Sequence, residues 1–328
     1  MKLLPALVAS TAIGANTSSK PNIVYIMTDD QGFSDVSWKN RHVKSPNLDM
    51  LRKRGLTIDG GYSQSRCTPS RVSFMTGKYP HNTGLYHVVD TVNAAGLPLS
   101  ETLLPEHLKQ AGYDTHFIGK WHLGYCHEAL RPHNRGFDTA YGFMGAAINY
   151  YRHTSTVQDY WYNDEKVENK NYCTDDFVDE ALRIVDRRLQ TNDKDPFFTW
   201  LSFNVPHAQI QAPSDGSAHV ASFSDVEPAS RRDYLAALWQ MDKQVGRLVD
   251  KLKSANEYDN TIFVFQSDNG PTRDGYAYPL RGVKGTPMEG GQRVPSFIAG
   301  PGIRHVALFL FMSVSLMYKF CYMLCYIL

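Results

Sequence analysis

The sequence has few cysteines and almost no net charge. Its 328 residues include five Cys, and no two of them form a C-x-x-C pair. This excludes a small fold held together by disulfides and gives no sign of a zinc or thioredoxin-type site. Lys and Arg number 34 and Asp and Glu 33, so the formal charge of +1 creates no overall field for nucleic acid or an anionic membrane. Any anion that the protein handles must be bound locally.

The N-terminus has the pattern of a secretory signal peptide. Lys2 precedes an apolar run over residues 3–13, and small residues follow at 14 and 15, where a signal peptidase could cut. The alternative is a buried N-terminal helix. We predict a signal peptide over residues 1–15 and a protein of the secretory pathway, lysosomal or secreted.

The C-terminal segment, residues 304–328, differs sharply in composition from the rest. Residues 306–328 are almost wholly apolar and aromatic, and this length would permit a membrane span. Three interpretations are open: a tail anchor, a lipid-anchor signal that is later removed, or translated non-coding sequence in place of the true end. The change is abrupt, without a linker or a basic stop-transfer cluster, which favours the third interpretation over membrane association.

Between these ends, short apolar runs alternate with helical patterns, as in α/β sheet proteins. With 42% hydrophobic residues, the chain has enough apolar material for a large core. The predicted strands cover 22–27, 115–118, 197–203 and 262–265. The predicted helices begin near residues 46, 67, 103, 174 and 230. Thr174 is expected to cap its helix, and Leu189 is expected on the inner face of that helix.

Polar side chains follow each predicted strand at the point where the strand ends. In strand order they are Asp29 and Asp30, then Lys120 and His122, then His207, then Asp268 and Asn269. Ligands of open α/β sheets bind outside the carboxyl ends of the strands, so these side chains from four distant segments are expected to converge.

The two Asp-rich turns supply hard oxygen donors. Asp29, Asp30, Asp268 and Asn269 suit Ca²⁺ or Mg²⁺ better than softer transition metals. A single Asp-Asp pair after a strand is more often a helix cap or a solvated turn. Two such groups at two strand ends favour a metal site, because carboxylates brought together without a cation would repel one another.

Basic and imidazole side chains indicate a neighbouring anion site. The run G-K-W-H-L-G over residues 119–124 places Lys120 and His122 on one side of an extended segment, with glycines that would let the backbone approach a ligand. His207 and Lys284 are further candidates. Each of these residues taken alone is more often an ordinary surface side chain.

The run C-T-P-S-R over residues 67–71 is the most informative motif. Pro69 fits the first turn of a helix that ends near Gly77, which would place Cys67 at the positive end of that helix. Arg71 lies one turn further on. The alternatives are that Cys67 is a buried small hydrophobic residue or pairs with Cys126 or Cys173.

This run resembles the sulfatase family, whose members carry C-x-P-S-R, and most closely its arylsulfatase B-like branch (N-acetylgalactosamine-4-sulfatase-like). Residues 75–78 look like the family's L-T-G-R, with Lys78 as a departure. Other matching stretches are 21–32, 119–124, 134–138, 267–270 and 281–291, so the resemblance covers residues 21 to about 303. It implies an alkaline-phosphatase-like α/β fold: a mixed β-sheet flanked by helices, without the family's C-terminal subdomain.

The resemblance also implies a mechanism. A formylglycine-generating enzyme would oxidise Cys67 to formylglycine, whose hydrate attacks sulfur, and Ca²⁺ would be bound by that residue with Asp29, Asp30, Asp268 and Asn269. The resemblance assigns the hydrate and its proton transfers to Arg71, Lys120 and His122. It assigns sulfate binding and departure of the ester oxygen to His207 and Lys284.

The implied reaction is hydrolysis of an aryl sulfate or a sulfated glycan. The arylsulfatase B-like branch suggests a sulfated N-acetylgalactosamine of a glycosaminoglycan. Two other functions stay open: an inactive, truncated sulfatase-like protein that binds sulfated glycans, and a related phosphoester hydrolase. The complete C-x-P-S-R motif speaks against the phosphoester hydrolase.

Overall fold

The computed structural model describes residues 20–89, 94–213, 226, 228–303 and 311–312. The predicted signal peptide lies outside these residues, as does the hydrophobic tail of 304–328 apart from the short strand at its positions 311 and 312. In the described part of the chain, no helix combines the length and the apolar character that a membrane span requires.

Strands and helices alternate along the described chain. The strands are β1 (Asn22–Thr28), β2 (Gly55–Thr57), β3 (Gly60–Gly61), β4 (Asp114–Lys120), β5 (Thr139–Phe143), β6 (Trp161–Tyr162), β7 (Glu165–Lys166), β8 (Phe197–Ser202), β9 (Thr261–Ser267), β10 (Ser296–Ala299) and β11 (Phe311–Met312). The helices are α1 (Pro46–Arg52), α2 (Cys67–Thr76), α3 (Pro80–Thr83), α4 (Leu104–Gln110), α5 (Cys173–Thr191), α6 (Ala229–Ser254) and α7 (Glu289–Gln292). Short 3₁₀ helices lie at Glu128–Leu130, Pro132–Asn134 and Tyr258–Asn260.

Nine strands form one mixed sheet in the order β2-β10-β9-β1-β8-β4-β5-β6-β7. The five central strands, β9, β1, β8, β4 and β5, are parallel. Strands β10 and β2 add antiparallel pairs at one edge, and β6 and β7 at the other. The expected mixed sheet flanked by helices is confirmed.

Both faces of the sheet are buried, which explains why its central strands are almost continuously apolar. Side chains alternate along β1, so Val24 and Ile26 join a core with α1, α5 and α6. Ile23, Tyr25 and Met27 point the other way, into a second core with α2 and α4. The helices therefore hold the parallel strands from both sides.

The parallel arrangement brings the polar strand ends to one edge. Thr28 of β1 pairs with Ser267 of β9, so Asp29 and Asp268 follow at the same level of neighbouring strands. Met27 pairs with Ser202 of β8, which ends at that edge too. The predicted convergence of these segments is confirmed.

Helix α5 differs from the prediction at both ends. Its N-cap is Tyr172, and Thr174 lies inside the first turn, where its hydroxyl has no hydrogen-bond partner within the described residues. Leu189 is 48% exposed and not on the inner face. The apolar core around α5 ends near Val185, and the last turn is held by the ion pairs of Arg188.

Candidate functional site

Cys67 is the first residue of α2 and is buried at the edge where the parallel strands end. The extended backbone of Arg66 precedes it, and Gly77 ends the helix in a left-handed conformation. The predicted position of Cys67 at the positive end of the helix is confirmed. Cys67, Cys126 and Cys173 are all unpaired, which contradicts the alternative in which Cys67 pairs with Cys126 or Cys173.

The polar residues next to Cys67 fix the backbone on either side of it. The Thr68 hydroxyl donates to the His122 carbonyl at 3.1 Å. Ser70 donates to the Gln64 carbonyl at 3.1 Å and accepts from the Gln64 amide at 3.0 Å. The motif therefore ties the start of α2 to the end of β4 and to the preceding loop.

The thiol of Cys67 is neutral in this environment. Burial raises its pKa to about 12, since the opposing charge of Lys120 is weaker and the carboxylates of Asp268 and Asp29 raise it further. A helix N-terminus normally favours a thiolate, but burial dominates here. The unmodified cysteine is therefore a poor nucleophile at neutral pH.

Each carboxylate of the site already has a cationic partner. Lys120 Nζ lies 2.6 Å from Asp29 Oδ2, and Lys284 Nζ lies 2.6 Å from Asp30 Oδ1. Arg71 donates to Asp268 Oδ2 through Nε at 3.1 Å and through Nη2 at 2.9 Å. Three side-chain cations lie against the three carboxylates, but burial and the charge of Asp29 still raise the pKa of Asp268 to about 7, so the repulsion expected between the carboxylates persists.

Three other oxygens supply better evidence for a cation. Asp29 Oδ1, Asp30 Oδ2 and Asn269 Oδ1 are buried without a hydrogen-bond partner among the described residues. The Asn269 amide nitrogen donates to Asp30 Oδ1 at 2.7 Å and to the Gly270 carbonyl at 2.9 Å, which leaves its oxygen unpaired. Unpaired buried acceptors are costly, and hard oxygens of this kind are ligands for Ca²⁺ or Mg²⁺. These residues therefore fit a hard divalent cation.

The possible metal ligands that lie closest together in the described residues include His207 but not Asp268. Ligand atoms of Asp29, Asp30, Cys67 and His207 lie within 4.8 Å of one another. Asp268 is engaged elsewhere, because its Oδ1 accepts from the Asp30 amide at 3.3 Å and its Oδ2 accepts from Arg71. Asp268 thus lines the group through hydrogen bonds, and His207 supplies the imidazole of the group, with Nε2 3.8 Å from Asp30 Oδ2.

His122 presents an unprotonated ring nitrogen. Its Nε2 lies 2.9 Å from the Val89 carbonyl, which only accepts, so Nε2 carries the hydrogen. Nδ1 is buried and has no partner in the described segments. Burial, followed by the charges of Lys120 and Arg71, lowers the pKa of His122 well below its usual value. The side chain is a neutral proton acceptor.

His207 lies in the loop after β8, with Nε2 3.8 Å from Asp30 Oδ2. Its Nδ1 faces the Ala208 carbonyl, so Nδ1 carries the hydrogen and Nε2 is the free ring position. Burial lowers the pKa of His207. Lys284 is partly exposed, so it lies nearer to solvent than Lys120 and Arg71.

Comparison with known proteins identifies the family. Residues 21–313 match the sulfatase family. This chain is a sulfatase family member. It is 36% identical to arylsulfatase J of Mus musculus over 305 residues, which cover 89% of this chain and 50% of that protein. It is 30% identical to N-acetylgalactosamine-6-sulfatase of Rattus norvegicus, covering 93% of this chain and 61% of that one.

Solved sulfatase structures share the fold. The crystal structure of Ps i-CgsB superposes with a TM-score of 0.85 at 32% identity, over 93% of this chain and 72% of that one. The same protein has been solved in complex with k-i-k-neocarrahexaose. The chain spans about half the length of arylsulfatase J.

The glycines of the sulfatase G-K-W-H-L-G run do not serve to admit a ligand. Gly119 has a φ of +104°, and a Cβ there would lie 1.8 Å from the Ser202 carbonyl of the neighbouring strand. A Cβ on Gly124 would lie 2.5 Å from the Gly96 Cα. Both glycines allow close backbone packing. The run is also not extended throughout, since His122 has a φ of +61°.

A supporting network of the sulfatase site was missed by sequence reasoning. The buried Asp35 accepts from Arg231 at 2.6 Å and from the Tyr234 hydroxyl at 2.7 Å. The same hydroxyl lies 3.2 Å from the Asp30 carbonyl and accepts from the Gly32 amide at 3.2 Å. The network joins α6 to the loop that carries Asp29 and Asp30. The available signal was an arginine and a tyrosine three residues apart within the apolar pattern of α6.

Proposed function

We propose that the protein hydrolyses sulfate esters of aryl or glycan alcohols, with residue 67 as the reacting centre. One observation carries the proposal: the C-x-P-S-R motif starts a helix at the edge of the sheet where cations, an unprotonated imidazole and unpaired oxygens meet. Such an arrangement stabilises negative charge that spreads over a transferring sulfuryl group.

We propose Ca²⁺ as the bound metal, with Asp29, Asp30, Asn269 and residue 67 as ligands and Asp268 as a further candidate. The metal would supply positive charge next to the reacting oxygens. We also propose that Cys67 is converted to formylglycine by a formylglycine-generating enzyme, which would supply the hydroxyl nucleophile that a neutral thiol lacks. The complete C-x-P-S-R motif over residues 67–71 supports this conversion.

The chain's own residues then have distinct tasks. Lys120 and Arg71 hold the two carboxylates Asp29 and Asp268 in place and add positive charge beside residue 67. Lys284, nearer to solvent, is suited to bind sulfate oxygens. His122 Nδ1 is suited to accept a proton from residue 67.

His207 would assist departure of the ester oxygen from its Nε2. To donate a proton there, the imidazole must first be charged, and the negative sulfate ester favours that charged form.

Substrate and location are further parts of the proposal. A sulfated glycan is supported by relatives named N-acetylgalactosamine-6-sulfatase and by the Ps i-CgsB complex with k-i-k-neocarrahexaose. Within that class we propose a sulfated N-acetylgalactosamine of a glycosaminoglycan, as expected for the arylsulfatase B-like branch. The signal-like N-terminus supports a lysosomal or secreted enzyme.

The test compares a small aryl sulfate with the matching aryl phosphate, on protein produced in a secretory pathway with an active formylglycine-generating enzyme. We expect turnover of the sulfate ester and little of the phosphate ester. Preference for the phosphate ester would favour the phosphoester hydrolase. Binding of sulfated glycans without turnover of either ester would favour the inactive binding protein.

A further inference from the structure

A cleft of about 550 Å³ opens next to the loop that carries Asp29 and Asp30. Its lining includes Ser34, Lys39, Arg41, His42, Tyr276 and Tyr278. Ser34 is four residues after Asp30, so their Cα atoms are at most about 14 Å apart. The loops after β1 and β9 form the cleft, which therefore lies at the same edge of the sheet as Cys67.

The cleft combines positive charge with exposed aromatic rings. None of the described residues that line it is acidic. Arg41 is exposed and donates through Nε to His42 Nε2 at 3.2 Å, while Lys39 is paired with Asp59 at 3.1 Å. Arg41 is therefore the cation best placed to bind a ligand anion. Tyr278 is 82% exposed, which is unusual for a large aromatic side chain in a monomer.

Contacts with the loop that carries Asp29 and Asp30 fix the backbone of residues 276 and 278 on the aromatic side of the cleft. The Ser34 amide donates to the Tyr276 carbonyl at 3.0 Å, and the Ser34 hydroxyl donates to the Tyr278 carbonyl. The Tyr276 amide donates to Asp35 at 2.7 Å, and the Arg231 guanidinium lies 4.1 Å from the centre of the Tyr276 ring. This backbone and the Tyr276 ring therefore need little ordering when a ligand binds.

We propose that this cleft binds a second sulfated sugar unit of a glycan whose cleaved ester lies at residue 67. The proposal rests on the proposed function. Tyrosine faces suit the apolar C–H faces of a sugar ring, and an exposed guanidinium offers forked hydrogen bonds to a sulfate group. The volume is in the range of small-molecule sites. A small aryl sulfate lacks a second sugar unit, so the cleft is expected to affect glycan substrates only.

The experiment uses two chondroitin tetrasaccharides, one with a single sulfate ester and one with two. Affinity is measured by calorimetry in a Cys67→Ala background, where the ester is not consumed. Turnover of the tetrasaccharides and of an aryl sulfate is measured with Cys67 present. The variants are Arg41→Gln and Tyr278→Ala. Arg183→Gln is the control, because Arg183 is an exposed arginine on α5 outside the cleft.

We expect the parent protein to bind the doubly sulfated sugar about fivefold more tightly, the scale of one exposed charged contact. Arg41→Gln should remove that preference, and Tyr278→Ala should weaken binding of both sugars about fivefold. Aryl sulfate turnover should be unchanged in both variants. The control should behave like the parent.

The proposal is overturned if the parent shows no preference, or if Arg41→Gln and Tyr278→Ala bind both sugars as the parent does. Failure of the proposed function looks different. In that case no sulfate ester is turned over, while the Arg41-dependent binding preference persists.

Discussion

The ion pairs at the two ends of the parallel strands differ in how far they are exposed to solvent. At the N-terminal end of β4, Asp114 pairs with Arg188 at 2.7 Å, and the carboxylate side chain is 41% exposed. At the C-terminal end of the same strand, Lys120 pairs with Asp29 at 2.6 Å, and both side chains are fully buried. The pair at one edge therefore has a solvent-exposed carboxylate, whereas the pair at the other edge has no contact with solvent.

This difference in exposure indicates which ion pairs stabilise the fold and which serve the chemistry of the site. An exposed pair contributes about 1 kcal/mol or less. A buried pair loses its hydration, so an apolar pair of similar volume is often equally stable or more so. The buried pairs Arg71–Asp268, Lys120–Asp29 and Arg231–Asp35 together at one edge are thus expected to serve the chemistry of the site more than stability.

The largest effect is expected from Cys67→Ala. Sulfate ester turnover should fall on the order of 10⁴-fold, because the reacting group is removed. The melting temperature should change little, since Sγ is small. Cys173→Ala is the matched control, as Cys173 is another buried cysteine outside the site. Its turnover should stay near that of the parent, and an equal loss in both variants would contradict the assignment of residue 67.

Breaking one buried pair should have the next largest effect. Arg71→Met leaves Asp268 buried without its cation, so we expect a loss of about 3–5 kcal/mol in the free energy of unfolding. Denaturant unfolding measures this loss.

A double variant, Arg71→Met with Asp268→Leu, removes both charges. It should recover more than half of the lost stability but none of the turnover. A double variant that regains turnover would show that these charges serve stability alone.

The network of Asp35, Arg231 and Tyr234, which contacts the loop that carries Asp29 and Asp30, should have a smaller effect. Tyr234→Phe removes the hydroxyl that contacts Asp35, Gly32 and Asp30, and Ca²⁺ affinity should fall about tenfold, as for other groups that orient metal ligands. Calorimetric titration of metal-free protein measures it. Tyr258→Phe, near the N-terminal start of β9, is the control. Unchanged Ca²⁺ affinity in Tyr234→Phe would limit the network to a structural role.

The smallest effect is expected at the exposed edge. Asp114→Asn should lower the free energy of unfolding by about 1 kcal/mol or less, because Asp114 is partly exposed and Arg188 keeps Asp193 as a partner, and the difference should shrink in high salt. Turnover should not change. A loss of unfolding free energy as large as that of Arg71→Met would contradict the proposed difference between the exposed and the buried ion pairs.

Local patterns made most of the fold predictable. The apolar run of β1 and its two aspartates are adjacent in sequence, so the position of Asp29 and Asp30 followed from the strand alone. The motif around Cys67 likewise contains its own helix start and its own helix end at Gly77. Parallel strand order then explains the convergence of these segments.

Contacts between distant residues were not predictable in this way. Asp35 meets Arg231 and Tyr234 only because α6 packs beside the end of β1, and no local pattern encodes that meeting. The sequence likewise did not show which cation pairs with each carboxylate, so it predicted the repulsion between the carboxylates but not the ion pairs that accompany it. Gly119 suggested room for a ligand, but the space belongs to the neighbouring backbone.

The central claim is that residue 67 takes the sulfuryl group and releases it through a second oxygen that formylglycine provides. Cys67→Ser has one hydroxyl at the same helix N-terminus, so it can accept the group but lacks the oxygen needed for release. The measurement is a single-turnover assay with an aryl sulfate, followed by intact-mass analysis of the protein. We predict at most one leaving group per site and a stable sulfate adduct on residue 67, with neither in Cys67→Ala. Sustained turnover by Cys67→Ser would contradict the account.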